Sequence, residues 1–297
     1  MSTPLEEAPH SLAGDRRLLL KREDVHELGA FKWRGALPSL RAHRERGADA
    51  VVTASTGNHG AATAWAAQRT GMRAVVFGPE AASRAKVAVM EDLGAELRLV
   101  GPDLDYAKDR AREFADEQGL PFFEDGAEPA QFDGYAEIAR ELVEQLGEPP
   151  GSVVVPVGNG ALVIGIAREL ERSERIGVVA KEAPVMALSV AAGRPVDCER
   201  CATFADGMAV RVAVPLAVAE LAALGVRMVE VSERALARAV GAFDSVGIRV
   251  EASAGAPLAA LDSMDALREP VVLIVTGRNI DDDLHRRAVE DPASFSP

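Results

Sequence analysis

Cysteine is scarce in this sequence. Cys198 and Cys201 are the two cysteines among 297 residues, and they form a single CxxC. A CxxC can be a redox pair or half of a zinc site. A second CxxC is absent, no redox helix start is visible after the pair, and the five histidines are scattered. We therefore expect no metal site and interpret the pair as two reduced thiols.

Long apolar runs and positive charge are also lacking. Runs such as VVLIV at 271–275 are far too short to span a bilayer. The opening MSTPLEEAPHSLAGDRR has no apolar centre, so we expect neither a secretory signal nor a transit peptide. With 33 Lys and Arg against 46 Asp and Glu, the net charge is −13, which repels nucleic acids and anionic membranes. We expect a cytoplasmic protein without either partner.

Aromatic residues make up only 4% of the chain, although 48% of the residues are hydrophobic. The core must therefore consist mainly of alanine, valine and leucine, as in packed α/β layers. A chain of 297 residues exceeds the size at which one core keeps growing. The composition therefore predicts a globular α/β protein of two domains.

Short β-branched runs alternate with alanine-rich segments along the chain. This alternation is typical of buried parallel strands joined by helices. Gly71 and Gly94 lie where a glycine commonly ends a helix. The predicted strands are 50–55, 73–78, 95–101, 152–158, 176–182, 226–232 and 270–277.

Three polar or glycine-rich segments follow predicted strands: TASTGNHGAATA at 53–64, PVGNGALVIG at 156–165 and VTGRN at 275–279. The first is either a carboxylate site at a helix start or a plain N-cap loop. The second lacks the lysine of a P-loop and is one residue too long for GxGxxG, which favours a phosphate ligand other than a nucleotide. Open α/β sheets bind ligands at this edge.

Lys32 stands in GAFKWRGA, residues 29–36. A lysine beside an arginine and an aromatic residue is often an ordinary surface residue. A partly buried lysine near another cation, here Arg34, can instead serve as an amine nucleophile or base. The residue alone does not decide between these interpretations.

These segments, together with TFADGMAV at 203–210 and VEASAGAPLAAL at 250–261, resemble in order the β-family (fold type II) of pyridoxal-phosphate enzymes. That family includes threonine dehydratase, serine racemase, threonine synthase and cysteine synthase. The resemblance implies pyridoxal 5′-phosphate as cofactor and Lys32 as the residue that forms the Schiff base with it. It also implies a small amino acid as substrate and a homodimer.

The resemblance assigns roles to further residues. Asn58 would hydrogen-bond the pyridoxal 3′-oxygen, and Thr276 would contact the pyridine nitrogen. The substrate carboxylate would be held by Ser55, Thr56, Gly57 and His59. The cofactor phosphate would be bound by backbone N–H groups of Gly158, Asn159, Gly160, Ala161 and Leu162.

The implied activity is the α,β-elimination of L-threonine or L-serine to a 2-oxo acid and ammonia, a lyase reaction. VGNGAL is closer to the threonine synthase loop, so β- or γ-replacement is an alternative. Thr56 matches the second-face serine of serine racemase, which keeps racemisation open, and Ala30 replaces a usual serine. Near VVAKEAP only Glu182 remains of that enzyme's acidic metal site, so we expect no divalent ion. A non-catalytic cofactor-binding protein is the remaining alternative.

The implied fold resembles that of the tryptophan synthase β-subunit. Two open, twisted, mainly parallel sheets would be flanked by helices, with the cofactor expected in the cleft between the two domains. We predict that residues 1–44 and 133–297 form a large cofactor-binding domain and that residues 45–132 form a small inserted α/β domain. No regulatory segment follows the last predicted strand, so we expect no feedback control.

Overall fold

The structure is a computed structural model that describes residues 2–198, 201–264 and 267–297. The chain divides into two compact units, one of Met1–Phe31 with Tyr135–Pro297 and the other of Lys32–Gly134. These limits differ from the sequence-based boundaries after residue 44 and before residue 133. The division into a large cofactor-binding domain and a small inserted domain stays a prediction.

Nine strands lie in the described part of the chain: β1 (Leu5–Glu7), β2 (Leu18–Arg22), β3 (Ala50–Ala54), β4 (Arg73–Gly78), β5 (Glu96–Leu99), β6 (Ser152–Pro156), β7 (Glu174–Ala180), β8 (Arg227–Val231) and β9 (Val271–Val275). The larger unit holds a six-stranded sheet in the order β1-β2-β9-β6-β7-β8, parallel except for β1. The smaller unit holds a parallel sheet in the order β3-β4-β5. The predicted fold class of two mainly parallel sheets flanked by helices is confirmed.

Twelve α-helices accompany the described strands. They are α1 (His10–Ala13), α2 (Trp33–Glu45), α3 (Asn58–Thr70), α4 (Arg84–Asp92), α5 (Leu104–Gln118), α6 (Pro129–Leu146), α7 (Ala161–Glu169), α8 (Val185–Ala192), α9 (Pro215–Ala223), α10 (Glu233–Ser245), α11 (Ala252–Ala260) and α12 (Asp282–Glu290). At the end of α3, Gly71 adopts a left-handed conformation and its N–H donates to the Ala67 carbonyl, as predicted. No helix of the described residues is long and apolar enough to cross a membrane.

The packing in the cores of the two units accounts for the low content of aromatic residues. In the larger unit, all five residues of β6 and all five of β9 are buried, because helices cover both faces of a parallel sheet. In the smaller unit, Ala107, Ala111 and Ala115 lie four residues apart on α5 and pack against Val52 and Val75. Small alanine side chains let this helix approach the sheet closely.

Strand β2 was not predicted from the sequence. Its residues, LLLKR, end in two cations, and a lysine and an arginine at successive positions do not resemble a buried strand. Lys21 is nevertheless fully buried, because its amine donates to Glu141 Oε2 at 2.6 Å, to the Thr3 carbonyl at 2.8 Å and to Gln145 Oε1 at 3.0 Å. An ion pair with these hydrogen bonds allows the charged residue inside the fold.

Cys198 and Cys201 are both half-buried. Within the described residues, no group of three or more His, Cys, Asp or Glu side chains is arranged to hold a metal ion. The role of the two cysteines stays a prediction.

Candidate active site

Lys32 lies at the N-terminal end of α2, directly after the point where the chain leaves the larger unit's sheet. In the larger unit, Ala30 forms an isolated antiparallel bridge with Gly277. The Phe31 N–H donates to the Thr276 carbonyl at 3.0 Å. The residues that precede Lys32 are thus hydrogen-bonded to the segment that follows β9.

Aromatic side chains pack around the start of α2. The Arg34 guanidinium lies 4.7 Å from the centre of the Trp33 ring, and Trp33 meets Trp65 of α3 edge-on at 6.1 Å. In the larger unit, Phe31 packs on Tyr135, with ring centres 5.1 Å apart. Tyr135 is fully buried, so it is a core residue. Phe204, in the TFADGMAV segment, packs on Phe295 with ring centres 4.4 Å apart.

The amine of Lys32 contacts a carboxylate that the sequence did not single out. Lys32 Nζ lies 2.5 Å from Asp125 Oδ2 in the smaller unit. The other Asp125 oxygen accepts from Gln131 Nε2 at 3.2 Å, and Gln131 Oε1 accepts from the Gly126 N–H at 2.7 Å. No local signal marks Asp125, because its position depends on a long-range hydrogen bond in which the nearby Phe123 N–H donates to the Val52 carbonyl of β3.

The predicted carboxylate loop runs from the end of β3 at Ala54 to the start of α3 at Asn58. Ser55 is buried, and its Oγ accepts from the Gly57 N–H at 3.1 Å. The N–H groups in the first turn of a helix have no partners within that helix, so this loop offers donors to an anion. Ser55, Thr56, Gly57, Asn58 and His59 all belong to this strand-to-helix connection.

His59 is a buried structural side chain at the base of this loop. Its Nε2 lies 3.1 Å from Thr53 Oγ1, and its ring centre lies 4.7 Å from that of Phe123. The Thr53 hydroxyl donates to the Phe123 carbonyl at 2.8 Å, which leaves the oxygen to accept from His59. Burial lowers the pKa of His59, the nearby Asp125 carboxylate partly opposes this effect, and the nearby Lys32 lowers the pKa further.

The predicted phosphate loop connects β6 to α7 in the larger unit, from Val157 to Gly160. Asn159 Oδ1 accepts from the Ala161 N–H at 3.1 Å, so this donor already has a partner within the loop. Gly160 has a φ of 94°, a left-handed conformation that glycine adopts without strain. A Cβ on Gly158 would lie 2.3 Å from the Gly207 carbonyl oxygen, so a glycine is required there.

Thr276 directly follows β9, and its side-chain oxygen is the atom of the larger unit that most clearly indicates a ligand. The residue is 1% exposed, and its Oγ1 is buried without a hydrogen-bond partner among the described residues. An unpaired buried hydroxyl costs about 1–3 kcal/mol, so it calls for a ligand that accepts or donates a hydrogen bond.

The family model described as "Pyridoxal-phosphate dependent enzyme" matches residues 1–277. The chain belongs to this family. The residues of this pyridoxal-phosphate enzyme fit the cofactor, because the Thr276 hydroxyl can donate to a pyridine nitrogen. The cramped backbone at Gly158 and the helix start after Gly160 suit a phosphate.

Known members of the family are similar over most of this pyridoxal-phosphate enzyme. A biosynthetic L-threonine dehydratase of Pasteurella multocida is 34% identical over 70% of the chain and 42% of its own length. An L-threonine ammonia-lyase of Geobacter sulfurreducens is 32% identical over 89% of the chain and 67% of its own length. The processed form of threonine deaminase isoform 2 from Solanum lycopersicum has a TM-score of 0.91 at 28% identity, covering 99% of this chain and 89% of that one. The chain spans about two fifths of the length of the Pasteurella multocida dehydratase.

Each unit of this pyridoxal-phosphate enzyme holds some of the residues that are predicted to bind the cofactor or the substrate. In the smaller unit, Asp125 lies beside both Lys32 and His59, with His59 Nδ1 3.6 Å from Asp125 Oδ1. The larger unit holds Thr276 and the phosphate loop, Gly158, Asn159, Gly160, Ala161 and Leu162.

Proposed function

We propose that this enzyme is an ammonia-lyase that eliminates water from L-threonine or L-serine and yields a 2-oxo acid and ammonia. The observation that carries the proposal is the buried Thr276 hydroxyl, which has no partner among the described residues. A hydroxyl at the pyridine nitrogen does not hold that nitrogen protonated, which disfavours transamination relative to elimination. The similarity to an L-threonine ammonia-lyase over 89% of the chain supports this reaction.

Lys32 has two tasks in this proposal. Its ε-amine would hold the cofactor covalently, and the substrate amine would displace it. The free Nζ then takes the proton from the substrate Cα and assists the departure of the β-hydroxyl as an acid. When bound, pyridoxal phosphate supplies the sink for the electrons left at Cα. The enamine product hydrolyses to the 2-oxo acid and ammonia.

The other residues bind and orient in this proposal. Asn58 hydrogen-bonds the pyridoxal 3′-oxygen, and Thr276 donates to the ring nitrogen. The backbone from Gly158 to Leu162 holds the phosphate at the start of α7. The substrate carboxylate is bound by the loop of Ser55, Thr56, Gly57 and His59 at the start of α3.

Purified protein incubated with pyridoxal phosphate and L-threonine or L-serine tests the reaction. We expect 2-oxobutanoate or pyruvate together with equal amounts of ammonia, and neither product from Lys32→Ala. Release of no 2-oxo acid would overturn the proposal. Product formation that requires an added nucleophile or a phosphorylated substrate would assign a replacement enzyme, and conversion of L-serine to D-serine without ammonia would assign a racemase.

We also propose that the protein is a cytoplasmic homodimer. Symmetric dimers are the commonest assembly of soluble enzymes, and the net charge of −13 favours neither membranes nor nucleic acids. Light scattering after size-exclusion chromatography measures the assembled mass. A monomer at micromolar concentration would contradict the dimer.

A further inference from the structure

A hydrogen bond from Gln131 holds the Asp125 carboxylate in place beside the lysine. Gln131 is fully buried, and its amide bridges Asp125 Oδ1 and the Gly126 N–H. Asp125 Oδ2 is thereby left facing Lys32 Nζ at 2.5 Å. The two side chains are only 16% and 27% exposed, so solvent screens their attraction incompletely.

Other titratable groups surround this pair in the smaller unit. His59 of α3 lies 3.6 Å from Asp125 Oδ1, and burial lowers its pKa. Glu128, which precedes α6, is close enough to act on His59 and is itself 2.8 Å from His43 Nε2 of α2. Within this group, an Asp125 oxygen directly contacts the lysine amine.

We propose that Asp125 is the resting partner of the Lys32 amine and holds Nζ in place by direct contact whenever the lysine is not bonded to the cofactor. The inference rests on the proposed function in one respect, the role of Lys32 as the cofactor lysine. Asp125 is a positioning residue in this role, since it acts on the reaction through Lys32.

The contact between Lys32 and Asp125 affects how the cofactor attaches to the lysine. The neutral amine uses its nitrogen lone pair to form a bond to the aldehyde carbon of pyridoxal phosphate. The aldehyde oxygen takes up both amine protons and leaves as water, so that a carbon–nitrogen double bond replaces the carbon–oxygen one. To reach the aldehyde carbon, the Lys32 amine must leave Asp125 Oδ2. The resting contact therefore slows attachment and keeps the waiting amine in one position.

The test compares the attachment rate of pyridoxal phosphate to cofactor-free wild type and Asp125→Asn over a range of pH. The visible absorption of the attached cofactor gives the rate, and borohydride reduction followed by peptide mass spectrometry confirms Lys32 as the site. We expect attachment to Asp125→Asn to be about three- to five-fold faster than attachment to wild type at neutral pH.

Glu124→Gln is the matched control, because the neighbouring Glu124 pairs with Lys108 and Arg112 instead. Its profile should coincide with wild type, and Asp125→Glu, which keeps a carboxylate, should lie near wild type as well. Thermal unfolding of each variant shows whether the fold is retained, and Asp125→Ser replaces Asp125→Asn if that variant unfolds.

An unchanged profile in the folded Asp125 variant would overturn the inference. So would slower attachment, because Asp125 would then assist attachment instead of holding the amine back. The experiment does not depend on turnover. Attachment at Lys32 without 2-oxo acid formation would contradict the proposed function alone, whereas unaltered attachment by an active enzyme would contradict only the role of Asp125.

Discussion

The backbone N–H of Phe31 donates to the carbonyl of Thr276 at 3.0 Å. This bond extends the contact between Ala30 and Gly277 and ties the segment before Lys32 to the end of β9. The Thr276 carbonyl is therefore hydrogen-bonded within the protein, whereas the buried Thr276 hydroxyl has no hydrogen-bond partner among the described residues. A residue whose main chain is fixed and whose side chain is unsatisfied is well suited to bind a ligand.

Thr276→Val tests the role of that hydroxyl. Valine has nearly the same shape, and it removes a buried polar atom that has no partner in the described structure. We expect the free energy of unfolding of the cofactor-free protein to stay unchanged or to rise by about 1 kcal/mol, while the affinity for pyridoxal phosphate falls about ten-fold. Thermal unfolding without cofactor and a cofactor titration followed by absorbance measure the two effects.

Thr276→Ser keeps the hydroxyl and should bind pyridoxal phosphate nearly as well as wild type. A clear loss of stability in cofactor-free Thr276→Val would show that the hydroxyl serves the protein itself. Unchanged cofactor affinity in that variant would remove Thr276 from the binding site.

Gly158→Ala tests the cramped backbone of the phosphate loop. The added Cβ would lie 2.3 Å from the Gly207 oxygen, so the loop has to move. We expect the variant to lose about 1–3 kcal/mol of stability, and its affinity for pyridoxal phosphate to fall at least about ten-fold. Equilibrium dialysis and thermal unfolding give both quantities.

Gly241→Ala provides a comparison within α10, where the new Cβ would make ordinary contact with Val289 Cα at 3.7 Å. Alanine favours a helix over glycine, so this variant should be equally or slightly more stable and should bind cofactor normally. A Gly158→Ala protein that binds as tightly as wild type would exclude the loop as the phosphate site.

Strands and motifs with a strong local pattern were predictable. The seven predicted strands are present as β3 to β9, because parallel strands buried on both faces need continuous β-branched runs such as VVLIV. The segments 55–60 and 157–162 directly follow β3 and β6, and Thr276 directly follows β9. The roles of their residues stay predictions.

Features created by distant pairing were not predictable. Lys21 can lie in a buried strand because Glu141, which is distant in the sequence, neutralises its charge. No local sequence pattern indicates that Glu141 is the partner. Asp125 similarly acquires its place beside Lys32 only after residues 121–123 have joined the edge of β3. Tertiary contacts of this kind override local sequence preferences.

Lys21→Met measures how strongly the buried ion pair holds the larger unit. The substitution removes the ammonium group that lies 2.6 Å from Glu141 Oε2, on a side chain that is only 11% exposed. An uncompensated buried charge costs about 3–5 kcal/mol, so we expect a large drop in the unfolding midpoint. The double variant Lys21→Met with Glu141→Leu should recover much of the loss. A drop below about 1 kcal/mol in urea unfolding would contradict this account.

His59 makes the stability of the smaller unit depend on pH. Burial lowers its pKa from the ordinary 6.5, so the unfolded chain binds a proton more readily than the folded chain. Stability is therefore fully present above about pH 6.5 and is lost as the pH falls below that value, by at most about 1.4 kcal/mol per pH unit. Between pH 7.5 and 5.5, wild type should lose more stability than His59→Gln, while His10→Gln on the exposed side of α1 should follow wild type. Equal pH dependence in wild type and His59→Gln would show that the proton binds equally well in both states.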